Sequence, residues 1–527
     1  MERLAGRVIL LWGWRRALAA MAAGAILALA MPPVDFFAAG FVSFTLLAWL
    51  LDGEPEHVAG WRRRLFAGFG VGWCFGFGYF VAGLYWVGNA LLVEAELFAW
   101  ALPLAVVGLP TLLALFHGFA TALASRLASP GLGRIAALAF AFGLAEWLRS
   151  FVLTGFPWNA VGLAAMPVPL AMQSSALVGL FGVTALAVLV FAMPALLAAR
   201  RHVVPGIALA LVLVAAHLGY GAWRLSAEAA PGASLAVRIV QPSIDQAQKW
   251  DTASRDAIFA RLVTLTDQAP ADGDPEPSLV VWPETAFPFL LADRPDALAA
   301  LADALGPGQS LMAGAVRVEP ATQGQPGRFY NSILTFDETG EIVGAFDKAH
   351  LVPFGEYVPL AGLLHRIGIG QIASAFPAFS AGTQGRLIAT GQEGVGALGF
   401  ICYEIIFPGY ADEGRREASL LVNLTNDAWF GVSAGPYQHF RQAQLRAVEA
   451  GLPLVRAANN GISAVVDAHG RLLDGFELDA VGALDVDVPL ERVETDPRRA
   501  GLFGLALVAA LGLLSAALRI RHARSDD

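Results

Sequence analysis

The chain has 527 residues, of which 56% are hydrophobic and only 15% charged, and its mean hydropathy is +0.57. A chain that apolar is not an ordinary water-soluble enzyme but a membrane protein. With 35 Lys and Arg against 44 Asp and Glu the formal charge is -9, and no long basic run occurs, which excludes a nucleic-acid binder.

The chain opens with Arg15 and Arg16 ahead of a short apolar run, as a signal peptide would. No small-residue cleavage pattern follows and more apolar segments come at once, so the run reads as a first membrane span. Taking about 20 apolar residues per span, the expected membrane helices cover roughly 17–31, 36–51, 65–88, 97–124, 132–149, 170–198, 203–222 and 499–518. Glycines 68, 70, 72, 76 and 78 superficially resemble a nucleotide loop, but in an apolar helix they permit close helix packing.

Orientation follows the Lys and Arg of the short loops. Arg3, Arg7, Arg15 and Arg16, then Arg62 to Arg64, Arg126 and Arg134, Arg200 and Arg201, and finally Arg519, Arg521 and Arg524 all fall on one side. The opposite loops hold Asp35, Glu94 and Glu96, with Arg149 the one basic residue near a membrane edge. Eight spans with both termini cytoplasmic are therefore expected, dividing the chain into a membrane domain at 1–222, a catalytic domain at 223–498 and a last span with its tail at 499–527. The stretch from Trp223 to Arg499 has soluble composition and must face away from the cytoplasm.

Within that stretch short apolar, β-branched runs alternate with helical ones. Strands are expected at LAVRIVQ from Leu235, SLVVWPE from Ser278, SLMAGAV from Ser310, YNSILTFD from Tyr330, the run Ile342 to Phe346, GALGFICYE from Gly396, SLLVNLTND from Ser419, PLVRAANN from Pro453 and ISAVVDAHG from Ile462. Helices are expected over Trp250 to Asp267, Pro295 to Leu305 and Pro436 to Ala450. Such a pattern suits a buried sheet in an α/β layered domain. The segment 268–277, QAPADGDPEP, is a solvated loop by composition.

Reactive residues gather beyond the carboxyl ends of strands in such sheets. Here those ends carry Glu284, Cys402 and the group Asn426, Asp427 and Trp429, while Lys348 leads into a proline-containing loop with Glu356. Cys402 is the one cysteine of the extramembrane stretch, in a compartment where thiols tend to be oxidised or kept for their reactivity. Cys74, in an apolar run, reads as packing. Two cysteines so far apart exclude a disulfide framework or a Cys-rich metal site, and neither metal nor cofactor is expected. A thiol nucleophile, a carboxylate base and an ammonium that stabilises an oxyanion are the three roles of acyl transfer, matched here by Cys402, Glu284 and Lys348. A nearby ammonium is expected to favour the thiolate.

The motifs WPET at Trp282 to Thr285, DKAHLVPFGEYVP at Asp347 to Pro359 and ICYE at Ile401 to Glu404 resemble the Glu, Lys and Cys motifs of the nitrilase superfamily. Joined to eight spans, the chain resembles the apolipoprotein N-acyltransferases of Gram-negative bacteria over essentially its whole length. That resemblance implies an extracytoplasmic α-β-β-α sandwich on a polytopic helical membrane domain in the inner membrane; apart from that resemblance, a monomer is expected. The resemblance implies transfer of a fatty acyl chain from a phospholipid, typically phosphatidylethanolamine, through a Cys402 thioester to the α-amino group of an apolipoprotein's N-terminal diacylglyceryl-cysteine. It also implies supporting roles for Glu356, Tyr403 and Glu404, and places Trp250, Trp429 and Phe430 near the acyl or lipid site.

Other uses of the same residues remain open. A membrane-anchored amidase or nitrile hydrolase would use the same three groups with water as acceptor, and a transporter would show broken helices and buried charge ladders that are not evident here. Glu146 is read as structural, with Arg149 near the membrane surface, and His117 and Asn89 lie in or beside apolar runs. The aromatics of FPWN, Phe156 to Asn159, fit either an interfacial anchor or a lining for lipid access. Two bulky lipids using one site in turn call for a mobile loop, expected at Gly362 to Gly382.

Overall fold

The computed structural model describes residues 2–53, 60–226, 233–321, 327–359, 366, 379–383 and 385–526. Most of the segment expected to be a mobile loop, from Gly362 onward to residue 378, lies outside the described residues. The chain forms two compact units, one comprising 1–228, 433–441 and 495–527, the other 229–432 and 442–494.

The first unit is helical, as a bilayer demands, because a helix satisfies its backbone polar groups internally. Among the described residues five helical stretches are long and apolar enough to cross a membrane: Trp61–Leu91, Ala95–Leu127, Ser175–Ala198, Val203–Ser226 and Pro497–Arg524. Three further helices, Gly13–Ala28, Ala38–Asp52 and Leu132–Arg149, correspond to the remaining apolar runs of the sequence. The glycine stripe does pack helices closely. A Cβ on Gly72 would lie 1.8 Å from Thr121 Oγ1 and 2.4 Å from the His117 carbonyl, so only hydrogen fits there.

The polar residues of this unit form a cluster. His117 Nε2 lies 3.0 Å from Glu146 Oε1, and Arg149 pairs with the other Glu146 oxygen while donating to the Phe156 carbonyl and, at 2.9 Å, to that of Trp158. Arg149 is 1% exposed in this unit and ties down the FPWN loop through the Phe156 and Trp158 carbonyls. Trp158 is buried too, and its indole donates to Gln438 Oε1 at 3.0 Å, which makes it core rather than an interfacial anchor.

Among the described residues the second unit holds twelve strands: β1 (Ser234–Gln241), β2 (Leu279–Val281), β3 (Ser310–Glu319), β4 (Arg328–Phe336), β5 (Ile342–Asp347), β6 (Leu387–Ala389), β7 (Gly396–Ile401), β8 (Leu420–Thr425), β9 (Leu454–Ala458), β10 (Ala464–Val466), β11 (Leu472–Gly475) and β12 (Gly482–Pro489). They make two six-stranded sheets, ordered β12-β1-β2-β3-β4-β5 and β11-β10-β9-β8-β7-β6. Each has a parallel centre, β1-β2-β3 and β7-β8-β9, flanked by antiparallel strands. Val237, Ile239, Val281 and Ile333 of one sheet form a single apolar cluster with Ile401, Val422, Leu424 and Val455 of the other, so the sheets pack face to face.

The opposite face of the first sheet buries Val280, Trp282 and Leu311 against Ile258, Phe259 and Leu262 of the Arg255–Thr266 helix and Ala297 and Leu301 of the Pro295–Ala304 helix. A third helix, Ala434–Ala450, lies in the crossover from β8 to β9, and its residues Leu445, Ala447 and Val448 are buried. The domain is thus an α-β-β-α sandwich of the kind expected. The helix expected from Trp250 begins only at Arg255, so Trp250 lies in the turns before it.

Gly72→Val should force the helices apart and destabilise the protein by about 1–3 kcal/mol, the usual cost of overpacking. The measurement is thermal unfolding in detergent beside Gly70→Val, which meets nothing within 4 Å and should leave the transition nearly unchanged.

Candidate active site

The three chemical groups that the sequence sets at strand ends lie together in the second unit. Glu284 follows β2, whose short apolar run Leu279–Val281 is fully buried and delivers Trp282 to the core and the carboxylate just past the sheet. The turn that follows is tight: Thr285 takes φ 45°. Gly314 on β3 lies against it, and a Cβ there would lie 2.5 Å from the Thr285 nitrogen and 2.6 Å from the Glu284 Cα. Lys348 follows β5 directly, and its nitrogen Nζ lies 3.6 Å from Glu284 Oε1.

Cys402 sits where β7 becomes a short 3-10 turn, Cys402–Ile406, and its φ of 48° is a left-handed conformation rare for a residue with a side chain. Strain of this kind persists only where the surroundings over-determine it. Glu404 does so here. Its Oε2 accepts from the Ile401 nitrogen at 3.0 Å, while its Oε1 accepts from the nitrogens of Ala349 and His350, both at 3.0 Å, and from Arg386 Nη2 at 3.1 Å. One buried carboxylate therefore fastens the cysteine turn to the residues that follow Lys348.

Charge pairing governs the site. Lys348, 1% exposed, donates to Glu356 Oε1 at 2.9 Å, and Glu356 Oε2 accepts from the Val352 nitrogen at 2.8 Å. Burial works to lower the Lys348 pKa, but Glu356, Glu284 and Cys402 outweigh it and hold the ammonium well above its ordinary value. Cys402 moves the other way from the sequence expectation. Burial, reinforced by the negative charge of Glu284, raises its thiol pKa, and Lys348 and the Thr425 hydroxyl only partly oppose that. At rest the sulfur keeps its proton.

Asn331, Lys249, Thr425 and Arg456 belong to the site although the sequence alone does not single them out, and they contact residues that it does. Asn331, the second residue of the β4 run YNSILTF, donates 2.7 Å to Glu284 Oε1 and 3.0 Å to Glu356 Oε1, bridging the two carboxylates. Lys249 donates to the Glu284 carbonyl at 3.0 Å and to Thr285 Oγ1 at 2.7 Å. Beside the thiol, Thr425 donates to Asp427 at 3.0 Å, and Asp427 pairs with buried Arg456 at 2.8 Å. The one sequence signal for Asn331 is a polar residue inside an apolar strand; Lys249 is masked by the more conspicuous Trp250 beside it.

The aromatic residues divide. Tyr403 is buried, its ring 5.0 Å from that of Phe407 and 5.8 Å from that of His350. Trp250 and Trp429 are 45% and 39% exposed, and Phe430 is half-buried, so the two tryptophans are not core residues. No hydrogen bond joins either indole to Glu284, Lys348 or Cys402 among the described residues. No group of three or more His, Cys, Asp or Glu is arranged to hold a metal ion among those residues.

Two sequence-family models match the chain, one described as Carbon-nitrogen hydrolase over residues 236–498 and one as Apolipoprotein N-acyltransferase N-terminal domain over residues 23–193. A protein of Brucella suis biovar 1 is 57% identical over 93% of both chains, and one of Rhizobium rhizogenes 52% identical over 98% of this chain and 99% of its own. Each is named apolipoprotein N-acyltransferase. Among solved structures the NitN amidase from Neterenkonia sp. AN1 aligns with 48% of this chain and 93% of its own at 20% identity, with a TM-score of 0.34.

A carbon-nitrogen hydrolase domain carried on a helical membrane domain is the class that fold, site and family matches define together. Within it the chain belongs to the apolipoprotein N-acyltransferase family, and it is an acyltransferase.

Asn331→Leu would leave both carboxylates short of a donor in a buried site, which costs about 1–3 kcal/mol. Equilibrium unfolding of the variant should show a loss of that size; a change under about 0.5 kcal/mol would mean that the bridging amide contributes little.

Proposed function

We propose that the protein moves a fatty acyl chain from a phospholipid, phosphatidylethanolamine in the first instance, to the α-amino group of the N-terminal diacylglyceryl-cysteine of apolipoproteins. The reaction is ping-pong and completes lipoprotein maturation. The observation that carries this reading is the buried cluster of Glu284, Lys348 and Cys402 in a membrane protein of this family.

In the first half-reaction Glu284 takes the thiol proton as the Cys402 sulfur attacks the ester carbonyl. A carbon–sulfur bond forms, the Lys348 ammonium stabilises the tetrahedral oxyanion, and the carbon–oxygen bond to glycerol breaks. Glu284 returns its proton to the leaving alkoxide, which departs as a lysophospholipid. In the second half the deprotonated α-amine, whose ordinary pKa is about 8, attacks the thioester. The carbon–nitrogen bond forms, the carbon–sulfur bond breaks, and Glu284 carries the amine proton to the sulfur. A resting thiol suits this sequence, since a base removes its proton only when an ester is in place.

Glu356 and Glu404 act as supports, the first holding Lys348 and the second the cysteine turn, with Tyr403 packed behind it. The exposed rings of Trp250 and Trp429, together with Phe430, serve the lipid chains. The membrane topology proposed with this function is eight spans in the inner membrane, with both termini cytoplasmic, a membrane domain at 1–222, a periplasmic catalytic domain at 223–498 and the last span and tail at 499–527. Its support is the distribution of arginines among the loops. The protein acts as a monomer.

The test is the intact mass of detergent-purified protein after incubation with phosphatidylethanolamine, beside Cys402→Ala. A hydroxylamine-labile fatty acyl adduct on the parent alone supports the reading. No adduct and no lysophospholipid release would shift weight to hydrolysis of a small amide. Glu284→Gln and Lys348→Met should each slow adduct formation by about 100-fold or more, the scale for losing a positioned base or an oxyanion partner. Normal acylation in either would reject the role given to that residue.

A further inference from the structure

Lys249 is a buried cation that the mechanism above leaves without a task. It is 2% exposed, yet both of its bonded partners are neutral: the Glu284 carbonyl at 3.0 Å and Thr285 Oγ1 at 2.7 Å. An ammonium has three donors, and among the described residues the third has no partner. Burying a cation without a carboxylate bonded to it is costly, and a structural lysine avoids that arrangement. By contrast Lys348 bonds Glu356 directly.

Both acceptors of Lys249 lie in the turn that carries Glu284. This is the turn with Thr285 at φ 45°, pressed against Gly314, so the ammonium holds a strained segment from the side. The titratable groups that bear on it are Glu284, after β2, and Cys402, after β7. Lys249 therefore faces the same carboxylate and the same sulfur that Lys348 does, from a different segment of chain.

We propose that Lys249 is a positioning residue for thioester formation, whose ammonium fixes the Glu284–Thr285 turn and sets a second positive charge against the sulfur as Cys402 gives up its proton. The inference rests on the reading of Cys402 as the nucleophile. Burial lowers the Lys249 pKa to about 8, against the opposing pull of Glu284 and Cys402, which puts its loss of charge in a range that kinetics can read. The ammonium is present below that pH and lost above it, so acylation assisted by it falls as the pH rises through about 8.

The experiment follows the first half-reaction alone, lysophospholipid release from phosphatidylethanolamine by the full chain in detergent with no amine acceptor, between about pH 6 and pH 10. The parent should slow as the pH passes about 8. Lys249→Arg keeps its charge at every pH in the range, so it should retain activity within about tenfold of the parent and lose that decline. Lys249→Met should be slower by about 100-fold and also show no decline. Thr285→Val removes one acceptor and leaves the ammonium, so its decline should remain.

A decline that persists unchanged in Lys249→Arg, or a Lys249→Met rate within about twofold of the parent, overturns the proposal. If Lys249→Met does not fold, the Arg and Thr285→Val profiles decide. Absence of any acyl adduct on the parent would fell the proposed reaction itself, whereas a normal adduct with indifferent Lys249 variants fells this inference alone.

Discussion

The ammonium of Lys348 has been taken almost wholly out of water, and the site is organised around that. A buried cation must be paired and hydrogen-bonded, or it loses its proton. Glu356 supplies the short pair at 2.9 Å and Glu284 a longer one at 3.6 Å. Two carboxylates around one ammonium would repel each other, and Asn331 between them offers a hydrogen to each. The longer distance leaves Glu284 held by the neutral Asn331 amide rather than by a short ion pair.

The same burial decides the state of the Cys402 thiol. A lysine near a cysteine is commonly taken to mean a thiolate, yet around Cys402 burial and Glu284 outweigh Lys348 and keep the proton on sulfur. Thr425 adds a finer control. Its hydroxyl opposes the rise in the thiol pKa, and it donates to Asp427, which pairs with Arg456. A protonated, buried thiol is a weak nucleophile and is also slow to oxidise, since the thiolate is the reactive form in both cases.

How much of this the sequence discloses depends on how each residue is buried. The central strands β1 to β3 and β7 to β9 are legible because buried parallel strands are mostly apolar, even where Arg238, Asn423 and Arg456 interrupt β1, β8 and β9. The strands β6, β11 and β12 are not, because they are antiparallel members with exposed or alternating positions. In β12 the apolar run is interrupted by Asp485, which is there to pair with Arg238 of β1 at 2.7 Å. Glu284, Lys348 and Cys402 stand out because strand ends and motif spacing announce them. Asn331 and Lys249 do not, since their meaning lies in contacts with residues far along the chain: Asn331 reaches Glu284 and Glu356, and Lys249 reaches Glu284 and Thr285.

The membrane unit holds a buried charge cluster in which the ions are matched. Arg149 directs its terminal nitrogens to Glu146 and to the carbonyls of Phe156 and Trp158, and His117 holds the other oxygen of Glu146. Trp158, Trp86 and Asn159 in turn converge on Gln438 Oε1, at 3.0, 3.1 and 3.1 Å. The ions are matched, and every bond named ends on the protein's own backbone or on another fixed side chain, which is how a polar cluster rigidifies a core that lipid would otherwise leave to dispersion forces. Lys249 departs from that pattern, being buried with neutral bonded partners and, among the described residues, a donor without one. A cluster closed on itself organises a fold, whereas an incompletely matched charge beside the thiol proposed as nucleophile is suited to a charge that arises only during reaction.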